Sequence, residues 1–203
     1  MPSSERSGSD RSAWTDFELI QTVKKGDLGA FAVLVERHQR PLVNFFFHNS
    51  WDRQVAEDCA QEVFLRLYSH LGSYEPQAKF TTFLYRIARN LWIDRMRSAA
   101  SHPGPVSLEA PLARNEEGSL REHVRSREDS PVEILEKRET EAALRGAIEK
   151  LPEEQRMVLI LSEMQGLKYK EIGDILEIPV GTVKSRMHTA VERLREFLTD
   201  HEV

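Results

Sequence analysis

The chain has 203 residues and a net charge of −5, with 40% hydrophobic and 30% charged residues, which is typical of folded domains with much exposed helix surface. This length suits one large domain or two small ones. The single cysteine, Cys59, excludes a disulfide framework and a metal site built from several cysteines. No signal peptide and no apolar run of membrane-span length is visible, so we expect a soluble cytoplasmic protein without membrane insertion.

Two helices are predicted after a polar tail at residues 1–14. Thr15 and Glu18 have the spacing of a capping box, which predicts a helix that stops at Gly26. A longer helix is predicted from Leu28, with His38 on its apolar side and an interruption at Pro41. On an apolar side, a histidine is more often a hydrogen-bonded core residue than a ligand.

A third helix is predicted from Asp52 to His70, and its two sides differ in chemistry. One side has a double apolar stripe, made of Val55, Cys59, Val63 and Leu67 with Ala56, Ala60, Phe64 and Tyr68. The other side presents Asp58, Gln61, Glu62 and Leu65, at i, i+3, i+4 and i+7. Such a face is usually solvated surface, but it is also what a protein-docking helix offers to a basic partner helix.

A fourth helix, predicted from Phe80 to Ser98, carries a basic face made of Arg86, Arg89, Asn90 and Arg97. Aromatic residues surround it: Tyr74, Phe80, Phe83, Tyr85 and Trp92. This mixture suits single-stranded nucleic acid, because the charges track phosphates and the rings stack on unpaired bases. The alternative is that Phe80, Tyr85 and Trp92 are core residues, whereas Tyr74, in a polar loop, is harder to explain as core.

Residues 99–131 are rich in proline and acids and have little periodicity, which indicates a linker. A second helical domain is predicted over residues 132–203. No strand-like alternation is visible in the sequence. The fold class we expect is therefore all-α, with two small helical domains, at residues 15–98 and 132–203, joined by a flexible linker.

The hydrophobic period near the C-terminus predicts two short amphipathic helices on either side of Pro179, which is a helix-turn-helix pattern. The exposed side of the second helix carries side chains that reach phosphates and base edges in a major groove. They are Thr182, Lys184, Ser185, Arg186, His188 and Thr189. The alternative is an ordinary helical hairpin with a solvated basic face.

Positive charge is concentrated in residues 79–97 and 180–195, although the chain as a whole is acidic. Two basic islands in an acidic chain suit a protein that touches nucleic acid locally and with the help of a partner. No catalytic constellation is visible, because the seven histidines are scattered and no glycine-rich phosphate-binding motif occurs. We expect neither an enzyme nor a cofactor or metal site.

Four segments together resemble bacterial sigma-70-type factors and, more narrowly, their extracytoplasmic-function (ECF) group. They are Gly26–Phe31 (GDLGAF), Ala56–Leu65 (AEDCAQEVFL), Thr82–Asn90 (TFLYRIARN) and Ile178–Arg186 (IPVGTVKSR). One such motif is weak, but four in register cover both predicted domains. The resemblance implies a region 2 domain that binds core RNA polymerase and melts the −10 promoter element, and a region 4 domain that reads the duplex −35 element. The polymerase contacts would be the clamp and the flap.

The resemblance also implies roles for particular residues. The clamp-binding surface falls on Asp58, Gln61 and Glu62. The pocket for a flipped-out, single-stranded −10 base falls on Tyr74 and Asn90, beside the basic residues Arg86, Arg89 and Arg97. The −35 contacts fall on the six residues of the second hairpin helix named above.

The chain departs from the family pattern at two positions. Some members carry an arginine where this chain has Thr189, and many have a serine or threonine cap where it has Lys168. Many members are held by an anti-sigma factor, which makes such a protein a further candidate partner.

Two other classes stay open from the residues alone. A stand-alone helix-turn-helix repressor, or a response-regulator-type activator, would bind duplex DNA without needing the acidic face or the aromatic and basic helix. A helical protein-interaction module would not need the basic island at residues 180–195. Co-migration with core RNA polymerase would distinguish the three classes.

Overall fold

The computed structural model describes residues 11–74, 79–101 and 131–199, and within these ranges every regular element is helical. The first half contains α1 (Asp16–Val23), α2 (Leu28–Ser50), α3 (Arg53–His70) and α4 (Phe80–Ser101). The second half contains α5 (Pro131–Glu149), α6 (Glu153–Leu159), α7 (Tyr169–Leu176) and α8 (Val180–Thr199). Short 3₁₀ turns lie at Arg11–Ala13 and Leu71–Ser73. The predicted all-α fold class is confirmed.

Local sequence signals set the starts of the first helices. The Thr15 side chain accepts from the backbone N–H of Glu18 at 3.3 Å, and the Glu18 carboxylate accepts from the N–H of Thr15 at 2.8 Å, which is the predicted capping box. Asp27 and Asp52 cap α2 and α3 through their carboxylate oxygens. The first helix ends at Val23, somewhat earlier than predicted.

The core of the first half is built around α2, which packs against α1, α3 and α4. Its fully buried residues include Leu34, Leu42, Phe45 and Phe46. The helix continues through Pro41, so the predicted interruption there is wrong. Apolar residues before and after Pro41 are anchored in one core, and this packing outweighs the backbone hydrogen bond that proline cannot make.

His38 is buried, as predicted for a hydrogen-bonded core residue, and it ties α2 to α1. Its Nε2 lies 3.0 Å from Oδ2 of Asp16, while Oδ1 of Asp16 pairs with Arg37 at 2.5 Å. Burial raises the pKa of Asp16, but the hydrogen bonds and charges of His38 and Arg37 outweigh burial and hold that pKa below its ordinary value.

The aromatic residues around α4 are core residues. Phe80, Tyr85 and Trp92 are buried, which confirms the structural alternative for these three rings. Tyr74 is only 6% exposed, so the expectation that it would be hard to place in the core is wrong. Its ring centre lies 4.8 Å from that of Phe83, and its backbone carbonyl accepts from the Lys24 ammonium at 2.5 Å. The loop is polar in sequence, but the helices on both sides of it supply an apolar pocket.

Another part of the predicted core is exposed. Tyr68, which the sequence places in the apolar stripe of α3, is 49% exposed. Its ring meets the partly buried Phe31 edge-on, with 5.1 Å between ring centres. Leu28, the first residue of α2, is also exposed, so the apolar stripe of α3 reaches solvent at this end.

The helix-turn-helix of the second half is formed by α7 and α8. The chain reverses at Glu177, whose φ of 58° is left-handed and whose N–H donates to the carbonyl of Gly173. A Cβ at Gly173 would lie 3.0 Å from the carbonyl oxygen of Ile178, so the tight turn favours glycine at this position. Pro179 then precedes α8, as predicted.

A π-helical turn, Ile160–Met164, follows α6. The N–H of Gln165 donates to the carbonyl of Ile160 at 3.1 Å, a spacing of five residues instead of four. This turn packs against α2, and it delivers Gln165 to the first half of the chain.

The two halves pack against each other. Helix α4 contacts α7, and the Tyr85 hydroxyl donates to Oε1 of Gln165 at 2.5 Å. The Arg145 guanidinium lies 5.0 Å from the ring centre of Trp51. The predicted linker, residues 99–131, falls largely outside the described residues, and α4 extends into it as far as Ser101.

Candidate nucleic-acid interface

The residues predicted to bind a protein partner lie on one exposed side of α3. Asp58 and Gln61 are exposed, and Glu62 is partly exposed. Oε1 of Glu62 pairs with Nε of Arg66, one turn further on, at 2.8 Å. Leu65, on the same side, is 68% exposed. The surface is therefore an acidic and polar rim around an exposed leucine.

A groove of about 320 Å³ runs beside this rim, between α2 and α3. Apolar side chains form much of it and polar ones lie at its edge: Val35, Gln39, Val43, Glu57, Ala60, Gln61, Phe64 and Leu65. A concave apolar surface with an acidic edge suits the side chains of a helix that is partly apolar and partly basic.

The basic face of α4 is covered in part by α7. Nζ of Lys79 lies 2.6 Å from the Glu171 carboxylate, and Nη2 of Arg86 donates to the backbone carbonyl of Asp174 at 2.8 Å. Nη1 of Arg89 lies 3.7 Å from the carboxylate of Glu177. Sequence reasoning identified the basic residues but missed this acidic cover, because periodicity carries no information on which distant helix packs against a face.

Two of the predicted −10 residues lie beyond this cover. Asn90 and Arg97 are exposed. Oδ1 of Asn90 accepts from Nη1 of Arg89 at 2.9 Å. This bond uses the acceptor of the Asn90 amide, and the amide nitrogen can donate to a base edge. Tyr74 lies in the core, so the structure does not group its ring with the exposed face of α4.

Glu171 has two contacts that matter locally. Its carboxylate accepts from the backbone N–H of Lys168 at 2.9 Å. This bond caps the start of α7, because the lysine at the N-cap position has no side-chain oxygen to do so. The hydrogen bond from Lys79, together with that from the Lys168 backbone, lowers the pKa of Glu171. The acid therefore stays ionised at the junction between the two halves.

The predicted −35 residues share the solvent side of α8. Lys184, Ser185 and His188 are exposed, whereas Thr182, Arg186 and Thr189 are partly exposed. The opposite side of the helix is buried through Val183, Met187 and Ala190. The structure therefore brings all six predicted residues together on one helix and leaves them accessible.

The start of α6 supports α8 from behind. Nη2 of Arg186 contacts the Glu154 carboxylate at 2.5 Å, and Nη1 of Arg193 donates to Oε1 of Gln155 at 3.3 Å. Sequence reasoning missed the role of Glu154, since an acid in the first turn of a helix is already explained by the helix dipole.

Within the described residues, no group of three or more His, Cys, Asp or Glu side chains is placed to hold a metal ion. In the same part of the chain, no helix is long and apolar enough to cross a membrane. Cys59 is buried, and burial raises the pKa of its thiol.

An exposed acidic and polar face on α3, a basic face on α4 and an exposed helix-turn-helix together are typical of a transcription initiation factor of the sigma type. The family model for Sigma-70 region 2 matches residues 34–102, and that for Sigma-70, region 4 matches residues 141–194. The region 2 match falls within the first half and the region 4 match within the second half, apart from residue 102, which lies outside the described residues.

Similar proteins identify the group of sigma factors to which the chain belongs. The chain is 37% identical over 181 residues to the ECF RNA polymerase sigma factor SigW of Bacillus subtilis, covering 89% of this chain and 95% of SigW. It is 35% identical over 182 residues to the ECF RNA polymerase sigma-E factor of Escherichia coli, covering 89% of this chain and 92% of that protein. The chain belongs to the ECF group of RNA polymerase sigma factors, and its function is that of an alternative sigma factor in transcription initiation.

Solved structures agree in fold. CnrH, in complex with the cytosolic domain of CnrY, is 22% identical with a TM-score of 0.65, covering 91% of this chain and 97% of that one. RpoE of Bartonella quintana, in complex with the anti-sigma factor NepR, is 23% identical with a TM-score of 0.60, covering 83% of this chain and 96% of that one.

Proposed function

We propose that residues 15–98 form the domain that binds core RNA polymerase and single-stranded −10 DNA, and that residues 132–203 form the domain that reads the duplex −35 element. Residues 99–131 link the two. In this proposal the chain has no catalytic activity of its own and acts in the cytoplasm, where polymerase initiates transcription. The polymerase supplies the chemistry, and the chain supplies promoter recognition.

One observation carries the assignment: three chemically different surfaces lie on three different helices. Asp58 and Gln61 make an acidic, polar surface on α3, the α4 face is basic, and Lys184 and Ser185 project from α8. A protein that must hold a partner, an open strand and a duplex at once needs such a division. A stand-alone repressor would need only the surface on α8.

Charge reversal on α3 tests the polymerase contact. Asp58→Lys combined with Glu62→Lys should abolish co-migration with core RNA polymerase, because both side chains face solvent on the docking side. Thermal stability should change little, as expected for exposed sites.

A matched control separates the site from the total charge. Glu36→Lys combined with Glu163→Lys makes the same change in net charge at exposed positions that do not lie on α3. This control should still bind polymerase. Normal assembly of the Asp58/Glu62 variant would reduce the α3 face to solvated surface.

The −35 surface is tested by selection from randomised duplexes in the presence of polymerase. Lys184→Ala should relax the preference at one base pair, since a base-edge contact contributes about 1–3 kcal/mol of discrimination. Arg186→Ala should weaken binding to all sequences alike, because a guanidinium that contacts a phosphate adds affinity without a preference for any base. Identical sequence preferences for Lys184→Ala and the parent would remove Lys184 from the base-reading set.

The −10 surface is tested at Asn90. Asn90→Ala should reduce start-specific transcription from a duplex promoter, and reduce it much less from a template already mismatched across the −10 region, because melting is then no longer required. The direct measurement is permanganate reactivity of unpaired thymines. Parent-like reactivity in Asn90→Ala would show that this residue does not hold the open strand.

An anti-sigma factor is the regulatory partner we propose. In support, RpoE of Bartonella quintana, which shares this fold, was solved in complex with the anti-sigma factor NepR. The test is inhibition, since such a partner must block association of this chain with core polymerase. A protein that co-purifies with the chain but leaves that association unchanged would not qualify.

A further inference from the structure

The contacts between α4 and α7 form an ordered series. Lys79, directly before α4, contacts the Glu171 carboxylate, and further along α4 Arg86 contacts the backbone carbonyl of Asp174 and Arg89 contacts the Glu177 carboxylate. Glu171 and Asp174 are three residues apart on α7, just under one helical turn, and Glu177 is the left-handed residue directly after the helix. The two helices therefore face each other as a basic row against an anionic row.

The anionic row is more than a set of carboxylates. Arg86 donates to the backbone carbonyl of Asp174, in the last turn of α7, and Glu177 is the residue that ends the helix. Carbonyls of the last turn have no partner inside a helix and carry the negative end of its dipole. The end of α7 thus presents oxygen acceptors and negative charge to guanidinium groups, as a phosphate backbone does.

We propose that α7 is an internal competitor for the −10 strand: in the free chain its acidic end occupies the basic face of α4, and it must leave before single-stranded DNA can bind there. This inference rests on the proposed function of α4. It adds a closed state that the chain forms by itself, without a second protein.

Two features of the junction between α4 and α7 favour its opening. Its ion pairs are partly exposed, and such pairs contribute little individually. Two buried atoms at the junction, Nε of Arg86 and Nε2 of Gln165, have no hydrogen-bond partner among the described residues. Buried polar atoms without partners oppose the closed arrangement.

The closed state affects the two DNA surfaces unequally. Arg86 and Arg89 are engaged by α7, whereas Lys184, Ser185 and His188 stay exposed on α8. The free chain should therefore retain contact with a −35 duplex while it excludes a −10 strand. Opening would then be the step that adds strand binding.

The experiment uses the full chain and a fluorescent oligothymidine of about twelve nucleotides, within the usual span of a single-strand site. Glu171→Gln combined with Glu177→Gln keeps side-chain shape and removes both carboxylates from the junction. At about 50 mM salt, where ion pairs are little screened, this variant should bind the oligonucleotide about fivefold more tightly than the parent. Its radius of gyration in X-ray scattering should increase.

The matched control is Glu163→Gln combined with Glu196→Gln. Both side chains are exposed in the second half, the charge change is the same, and no described contact joins either of them to α4. This control should bind the oligonucleotide as the parent does and keep the parent's radius of gyration. Equal gains in both double variants would mean that total charge, and not the junction, controls binding, and would overturn the inference.

A third variant separates this inference from the function on which it rests. Arg86→Gln and Arg89→Gln, added to the Glu171/Glu177 variant, should remove the gain in oligonucleotide binding while the chain stays expanded. If the chain expands on loss of the carboxylates but these arginines do not matter for binding, α4 is not the strand surface and the −10 assignment fails. If the chain does not expand at all, the closed state fails, whatever α4 binds.

Discussion

Tyr74 is the residue for which the family resemblance and the structure lead to different expectations. As a ring that covers a flipped-out base, it should be dispensable for folding. As a core residue, it should be required. Its 6% exposure and its contacts with Phe83 and Phe80 favour the second role in the free chain. The free energy of unfolding of Tyr74→Ala distinguishes the two roles.

The expected loss can be worked out from its burial. Replacing a buried aromatic ring with alanine removes its apolar contacts and leaves a cavity, which costs about 3–5 kcal/mol. Removal of an exposed ring costs within about 0.5 kcal/mol. With a urea m-value of about 2 kcal/mol per molar, the core role predicts a fall of about 1.5–2.5 M in the unfolding midpoint of the first half.

The assay is urea unfolding of the full chain, followed by far-UV circular dichroism, with Tyr68→Ala as the control. Tyr68 is the same residue type in the same half, is 49% exposed and makes one edge-on ring contact with Phe31. Its removal should cost about 1 kcal/mol at most. An unchanged midpoint for Tyr74→Ala would refute the burial argument and restore Tyr74 as a candidate for base stacking alone.

Two further outcomes follow from the packing. Asp16→Asn should lower the free energy of unfolding by about 1–3 kcal/mol at neutral pH, since it removes charged hydrogen bonds to Arg37 and His38. Because the pKa of Asp16 is lowered in the folded state, that contribution is present above the ordinary value of 3.8 and is lost as pH falls through the folded pKa, so the parent and the variant should converge in acid unfolding. Gly173→Ala should destabilise the second half by about 1–3 kcal/mol, because its Cβ would meet the Ile178 carbonyl, whereas Gly181→Ala, with open space around it, should be neutral or stabilising.

Much of the fold could be predicted because its signals are local. The capping box at Thr15, the end of the first hairpin helix before Pro179 and the apolar stripe of α8 all depend on residues within a few turns of one another. The same holds for the exposed residues of α8, since burial of one side of a helix fixes the other side.

The remainder depends on packing between distant segments. Tyr74 is buried because Phe80 and Phe83 of α4 close over it, and no local rule places those rings there. The cover on Arg86 and Arg89 comes from α7, on the far side of the predicted linker. Periodicity identifies a face, but the partner of that face is set by the three-dimensional course of the chain.

The π-helical turn at Ile160–Met164 sets the direction in which Gln165 leaves the second half, and so its position relative to Tyr85. It holds one residue more than an α-helical turn of the same rise, and each residue advances a helix by about 100°. Deletion of one residue here would restore regular α-helix and turn Gln165 away from Tyr85. In a relative whose turn is one residue shorter, a hydroxyl at the position of Tyr85 would have no glutamine to donate to. The length of this turn and the residue at the position of Tyr85 should therefore change together.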